Sequence, residues 1–420
     1  MITTISLLPG ITLRCFPDSR FKQGCMSIQL VRPMCRKEVT RNALLPAVLL
    51  RGCQSAPDLR AITQKLDDLY GASVGVSVRR VGDYQTFGLY SDFVDDRFAL
   101  EGDQILEPMI RFLGQLLLEP LTCGESFREA FVESEKKNLI AAIESQRNDK
   151  RAYAAASLLK HMCAKDSFGI PRLGEPEDVK AITAQELYAH YRRVLRESPV
   201  ELFYVGAAEP QTVGGVLRNV FAGVDRQVMT LPEQTDFCPC GGGEFEEILD
   251  VAQGKLAMGF VTPITLRDPK FVAMQVCNTV LGGGMTGKLF QNIREKQSLC
   301  YDIGSSYHGS KGIVTILAGI DREKKDLVAT QVRQQLAAVA AGDLTEAELT
   351  AAKQALICSL RSTHDAPSAI ENYYSTTALS GLGMTPEDYR QKVEQVTAVQ
   401  VAQVAATLTQ DTVFFLKGVQ

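Results

Sequence analysis

The sequence predicts an α+β protein built from two homologous sandwich domains, each an antiparallel-rich sheet with helices on one face. Three observations carry this. Features of the first half recur in the second half in the same order. Within each half, runs of strands give way to runs of helices. A Gly-, Pro- and polar-rich stretch lies between the halves.

The repeat is read from three ordered matches. The helical segment SEKKNLIAAIES ends at Ser145, and AAKQALICSLRS ends at Ser362. Pro176-Glu177-Asp178 recurs as Pro386-Glu387-Asp388, and the apolar strand ending at Gly206 recurs in one ending at Gly418. Three matches at a nearly constant offset argue for a duplicated unit of roughly 200 residues. Each Pro-Glu-Asp opens a helix, with Pro suited to the first turn and the acids facing the positive end of the dipole.

In the first half MSIQLV, ASVGVSVRRV and YQTFGLYS alternate as strands, and ILEPMIRFLGQLLL and SFREAFVESEKKNLIAAIES read as amphipathic helices. The second half opens with the strand KLAMGFVTPI and a helix from Pro269 to Leu281. Strands SLCYDIGSSYHG and GIVTILAGI follow, then helices beginning near Lys324 and Thr345. The domains are set at 1–225 and 246–420, with a linker at 226–245.

Composition excludes several classes. At 420 residues, with 45% hydrophobic and 22% charged residues, the chain has the make-up of a soluble globular protein. A formal net charge of -4 gives no reason to expect nucleic acid or an acidic membrane as partner. No stretch reaches the roughly 18 apolar residues of a membrane helix, and no basic segment precedes an apolar run at the start, so a cytoplasmic location is expected. Most of the 11 cysteines sit alone in apolar segments, as Cys163, Cys277 and Cys358 do, and read as reduced core thiols. Cys238-Pro239-Cys240 has no second pair or nearby His to make a zinc site.

The stretch LGGGMTGKLFQNIREKQSLCY, Leu281 to Tyr301, nearly spells a phosphate-binding loop from Gly282 to Lys288. Leu289 follows the lysine where a magnesium-binding hydroxyl is needed, and the preceding FVAMQVCNTV reads as a helix rather than a buried strand. The plain alternative is a turn needing positive φ, served by Gly282, Gly283 and Gly284.

This stretch is similar to the signature of the C-terminal halves of pitrilysin/insulinase peptidases and mitochondrial processing peptidase subunits. There a Gly-rich turn leads into a helix with Leu-Phe near its start, and an Arg near its end precedes a Tyr by seven residues, places held here by Arg294 and Tyr301. The resemblance implies that this pair contacts bound peptide, Arg as a forked donor and Tyr through its hydroxyl. The Gly282–Gly284 turn belongs to the same substrate-binding signature. It further implies two domains facing each other as a clamshell.

The family's catalytic half carries H-x-x-E-H on a helix, two histidines sharing a zinc and a Glu activating its water, with a ligand Glu on a later helix. Aligned on Arg51-Gly52, the segment NALLPAVLLRGCQ places Ala43, Pro46 and Ala47 at the His, Glu and His positions. Glu135 matches a Glu that precedes the ligand by seven residues, and Ala142 stands at the ligand's own place. The only histidines are His161, His190, His308 and His364, and none forms the motif in either direction.

The resemblance therefore implies a catalytically inactive bacterial member with no metal and no cofactor. Its partners would be a peptide or unfolded polypeptide and a zinc-bearing homologous subunit, or a second copy of itself. Two rivals stand beside it. One is a structural or chaperone-like protein of this fold, as in respiratory complex core subunits. The other is an unrelated, nucleotide-dependent enzyme in which Lys288 would be the residue to test.

Overall fold

The computed structural model describes residues 2–236, 242–251 and 253–418. Cys238-Pro239-Cys240 lies outside the described residues. In chain order the elements begin β1 (Thr3–Leu8), β2 (Ile11–Pro17), β3 (Gln23–Pro33), α1 (Val39–Leu49), α2 (Leu59–Asp68), β4 (Ser73–Val81) and β5 (Tyr84–Val94). Then come α3 (Leu106–Leu118), α4 (Glu129–Ser145), α5 (Lys150–Met162), α6 (Pro176–Ala181), α7 (Ala184–Glu197), β6 (Val200–Gly206) and α8 (Pro210–Phe221). The second half runs β7 (Gly243–Ile248), β8 (Gly254–Val261), α9 (Phe271–Gly282), β9 (Asp302–His308), β10 (Ile313–Ile320) and α10 (Lys325–Ala340). It ends with α11 (Glu346–Ser362), α12 (Pro367–Ser380), α13 (Pro386–Gln395), α14 (Ala398–Ala405) and β11 (Thr409–Lys417).

The two sheets share one topology. The first has the order β1-β2-β6-β3-β5-β4 and the second β7-β11-β8-β10-β9. Dropping β1 leaves five positions that correspond strand for strand, including the single parallel pair, β2 with β6 and β7 with β11. This correspondence is the duplication read from the sequence. Both Pro-Glu-Asp segments do open helices, α6 and α13, with the proline in the first turn.

Strand alternation divides each sheet into two apolar faces. Met26, Ile28 and Leu30 of β3 join Leu44, Leu45, Phe112 and Leu116 in the first core. Leu256, Met258 and Phe260 of β8 join Met274, Leu281, Leu289 and Ile293 in the second. At roughly 1.5–3 kcal/mol per fully buried large apolar side chain, these two clusters supply the main driving force for folding.

The compact units interleave in sequence. The first comprises residues up to Glu144, Arg172–Glu233 and His364–Thr376; the second comprises Ser145–Pro171, Gln234–Thr363 and Thr377 onward. One boundary thus falls inside the 226–245 stretch, and each unit also holds a helical segment from the other half of the sequence. In the first unit Ile370 packs with Cys25 and Val205 on the sheet face away from the main core. Glu371, fully buried, accepts from Ser27 Oγ at 2.6 Å and from Arg79 Nη2 at 2.9 Å. In the second unit Ala154 and Leu158 of α5 pack with Ala257, Phe414 and Leu416 on the corresponding face. Helices therefore cover both faces of each sheet, adding one helix to the single-faced layer expected.

Candidate functional site

Helix α1 occupies the place assigned to the zinc-binding helix. Ala43 and Pro46 are buried within it and Ala47 is half-buried. None of these side chains carries a lone pair for a metal or a proton to transfer. Pro46 lies inside the helix, where it lacks the N–H that would reach the carbonyl four residues back.

A chain of buried polar groups fixes α1 instead. Gln85 Nε2 donates to the carbonyls of Val39, at 3.0 Å, and Arg172, at 2.7 Å. Asn42 Nδ2 donates to Gln85 Oε1 at 2.9 Å. With its amide spent there, the Asn42 oxygen takes the Nε2–H of His190 at 2.7 Å, and His190 Nδ1 accepts from Arg193 at 3.0 Å. Arg193 also reaches Glu38, which pairs with Arg32. Burial, reinforced by the charges of Arg193, Arg41 and Arg32, pushes the His190 pKa down to about 3. The ring is therefore neutral, as the direction of the chain requires.

Glu135 of α4 is buried and pairs with Arg51, just past the end of α1, at 3.4 Å, and accepts from Asn138 at 3.0 Å. Ala142 lies seven residues further along α4, on its exposed side.

Arg294 and Tyr301 come together in the second unit. A π-helical turn, Phe290–Glu295, carries Arg294, and such turns often mark functional segments. Ile293 anchors that turn in the core, and the chain reverses through Ser298 at φ 53° to place Tyr301 directly before β9. Arg294 Nε donates to the Tyr301 carbonyl at 2.8 Å, its guanidinium lies 4.6 Å from the Phe290 ring centroid, and Nη1 pairs with Glu295. The Tyr301 N–H donates to the Gly319 carbonyl at 2.8 Å and its hydroxyl to Asp321 at 2.8 Å. That bond to Asp321, then the carboxylate's charge, raises the Tyr301 pKa. The ring is half exposed, at 52%.

The glycine turn works differently from the expectation. Only Gly284 has positive φ, at 157°. Gly282 is the last residue of α9, and a Cβ there would stand 2.7 Å from the Ser305 backbone nitrogen. A Cβ on Gly283 would stand 2.6 Å from Thr279 Cα. Close approach, rather than handedness, accounts for the first two glycines.

Lys288 is buried and pairs with Glu348 at 3.0 Å. Glu348 in turn closes the capping box of α11 by accepting from Thr345. A lysine so committed is not presented to a phosphate, and the preceding segment is helix α9. Sequence reasoning missed the Gln85–Asn42–His190 chain and Arg151, which pairs with Asp302 at 2.7 Å. No local pattern announces partners so far apart in sequence. The one available signal was a His and an Asn inside otherwise apolar helical faces.

No helix among the described residues is long and apolar enough to cross a membrane. Comparison with known proteins gives consistent likenesses. Residues 181–356 match the family model described as peptidase M16 inactive domain. The chain is 28% identical over 411 residues to the probable inactive metalloprotease YmfF of Bacillus subtilis (strain 168), covering 98% of this chain and 96% of that one. A conserved protein from Enterococcus faecalis V583 superposes with a TM-score of 0.92 at 25% identity, over 99% of this chain and 98% of that one. A peptidase M16 inactive domain from Pseudomonas fluorescens shares the fold with a TM-score of 0.81 at 18% identity, over 99% and 98% of the two chains.

Proposed function

From the premise that the chain belongs to the M16 (pitrilysin/insulinase) peptidase family as an inactive homologue, we propose that it binds extended peptide and works beside a zinc-bearing homologous subunit. The observation that carries this reading is an asymmetry between two places in the fold. The helix assigned to zinc has hydrocarbon at Ala43, Pro46 and Ala47 and is braced from behind by the Asn42–His190 chain. The Arg294–Tyr301 pair is held together at the surface by the bond from Arg294 Nε to the Tyr301 carbonyl, and Tyr301 is exposed.

Such a site can hold a peptide but not hydrolyse one. Arg supplies a charge-assisted donor for peptide carbonyls, worth roughly 1.5–3 kcal/mol per bond. The Tyr hydroxyl supplies a second donor once it turns from Asp321. Metal-activated water would have to come from the partner, where the general base and the zinc reside.

The test is reconstitution. The chain alone, the zinc-bearing homologue from the same host alone, and the two mixed are assayed on a quenched fluorescent peptide library. Cleavage by the mixture well above the sum of the parts, lost with Arg294→Ala, is the expected result. Full activity of the homologue alone, unchanged on mixing and with no peptide retained by the chain, would defeat the proposal.

A further inference from the structure

We infer that a groove between α10 and the end of α14 receives an amphipathic helix of a partner protein, with apolar residues four apart on one face and an acidic residue on its flank. The groove shares no residue with the Arg294–Tyr301 segment, and the inference does not depend on peptide binding there.

The duplication supplies the argument. α3 and α10 each follow the second strand of an antiparallel pair, β4 with β5 and β9 with β10. α7 and α14 each precede the strand that pairs in parallel, β6 and β11. α7 and α14 also open alike, with capping boxes set by Thr183 and Thr397. The two helix pairs are therefore counterparts.

In the first unit a further helix covers the corner that such a pair forms. α8 follows β6 and packs on α3, β1 and β2. It runs so close to α3 that a Cβ on Gly114 would stand 2.4 Å from Val220 Cγ1. Val213, Leu217 and Phe221, four residues apart, form one stripe that is fully buried in the first core. Just beyond α8, Arg226 donates to the carbonyls of Leu195 and Ser198 at the end of α7, at 2.6 Å and 2.5 Å.

In the second unit the same corner is open. Among the described residues it holds a groove of about 420 Å³, with Phe260 and Leu336 in its floor and Ala337, Ala340, Ala405 and Leu408 around them. Phe260 pairs with Gln410 at the start of β11, as Leu30 pairs with Val200 at the start of β6, so the groove lies at the corresponding end of the sheet. The small alanine side chains permit the close approach that Gly114 gives α8. A helix laid there buries its apolar stripe as α8 does. α8 of a second copy is committed to its own core, so the occupant is a helix of another protein.

Charge selects the flank. Among the described lining residues Arg333 alone is charged; it is exposed and donates through Nε to Gln410 at 2.9 Å. A carboxylate on the docked helix gains a charge-assisted partner there, whereas an arginine is repelled.

The experiment uses the intact chain and fluorescein-labelled peptides in fluorescence anisotropy. One peptide has the sequence of residues 209–224, held helical by a hydrocarbon staple in place of the solvent-facing Gln211 and Gly215. A second adds Arg218→Glu, and a third adds Leu217→Asp and Phe221→Asp. The Arg218→Glu peptide is expected to bind about tenfold tighter than the first, and the third not to bind. In the chain, Ala337→Glu at an exposed position should leave the melting temperature unchanged and weaken both binding peptides at least tenfold. Arg333→Glu should reverse their order, and Arg294→Ala should change neither. Binding that survives Ala337→Glu, or no binding of either peptide, overturns the inference, and an order that Arg333→Glu leaves unchanged refutes the acidic flank. A chain that self-associates, and that Ala337→Glu makes monomeric, assigns the groove to a second copy and overturns the partner helix. The helix is likewise overturned, in favour of a small apolar ligand, if a dansyl-labelled fatty acid binds wild type but not Ala337→Glu while no peptide does.

Discussion

The backbone carbonyl of Tyr301 is held by Arg294 Nε at 2.8 Å, so the two residues seven apart in sequence act as one unit. Arg294→Ala removes both a ligand donor and the anchor of the segment leading into β9. Tyr301→Phe removes only a hydroxyl, whose partner Asp321 keeps Lys324 at 2.8 Å. Each variant is expected to weaken peptide binding about tenfold, which is about 1.4 kcal/mol. Arg294→Lys should not restore it, because an ammonium cannot serve carbonyl and ligand as a planar fork does. The thermal melt of Tyr301→Phe should shift little, whereas Arg294→Ala should lower it modestly, since the segment's anchor is lost but no core cavity opens. Two variants that bind like wild type would remove the pair from the site.

Zinc should not bind the purified chain stoichiometrically, because Ala43, Pro46 and Ala47 offer no donor atoms. Metal analysis finding about one tightly held zinc per chain would reverse this. Reinstalling the motif with Ala43→His, Pro46→Glu and Ala47→His should not rebuild a tight site either. Ala43 and Pro46 are buried, and overpacking there costs about 1–3 kcal/mol per site. A triple variant that melts like wild type and holds zinc would show that the space was kept open.

Lys288 is expected to be structural. Its Nζ pairs with Glu348, the residue that closes the cap of α11, at 3.0 Å. Lys288→Met should cost about 1–2 kcal/mol in urea unfolding, through a buried ion pair broken on one side and a loosened cap. Magnesium-ATP should leave the melting temperature of the wild-type chain unchanged. A clear ATP-dependent rise, absent in the variant, would revive the phosphate-loop reading.

The fold was legible because it repeats. Pro176 and Pro386 mark equivalent helix starts, and the strands ending near Gly206 and Gly418 are β6 and β11, equivalent positions of two matching sheets. Local signals of this kind, turn chemistry and alternation, survive in one sequence. The exchanged segments were not legible. Nothing local to residues 364–376 says that Ile370 covers Cys25 or that Glu371 reaches Ser27, 344 positions away. At the site, the resemblance of the Gly-rich stretch to the family signature pointed to Arg294 and Tyr301, but the bond between them runs to a backbone carbonyl, which no residue type encodes. Arg151 was invisible for the same reason as Glu371.

His190 sets an acid limit on the first unit. Its folded pKa, about 3, lies below the ordinary histidine value near 6.5, so the unfolded chain binds the proton first as pH falls. Its contribution is therefore complete above about pH 6.5 and is lost progressively from there down to about 3. Linkage puts the loss at about 2 kcal/mol between pH 7 and pH 5. Carboxylates held low by their partners, such as Glu246 near 2, lose their contribution only in more acid solution. Denaturant unfolding of wild type and His190→Gln at pH 7 and pH 5 isolates the effect. The variant should start less stable and show a flatter pH dependence, and parallel curves would show that the ring titrates normally.

Gly282 offers a test in which two effects oppose each other. It ends α9, and in a free helix Gly→Ala gains about 1 kcal/mol from propensity. Here the added Cβ would stand 2.7 Å from Ser305 N and 3.0 Å from Leu289 Cδ1, and the first of these is backbone of β9 that cannot swing aside. Overpacking of this kind costs about 1–3 kcal/mol, so the clash should win and Gly282→Ala should destabilise. Gly284 is the control, since no heavy atom lies within 4 Å of its added Cβ and only its φ of 157° resists substitution. Because Ser305 lies three residues beyond Asp302, pushing β9 away from α9 should also disturb the start of that strand, where Arg294 holds the Tyr301 carbonyl. Gly282→Ala is therefore expected to lose peptide affinity more than its stability loss alone explains, measured at a temperature where the variant remains folded. If Gly282→Ala proves as stable as wild type and binds peptide equally well, then α9 and β9 are not packed as tightly as the close approach requires, and the glycine turn has no part in positioning the site.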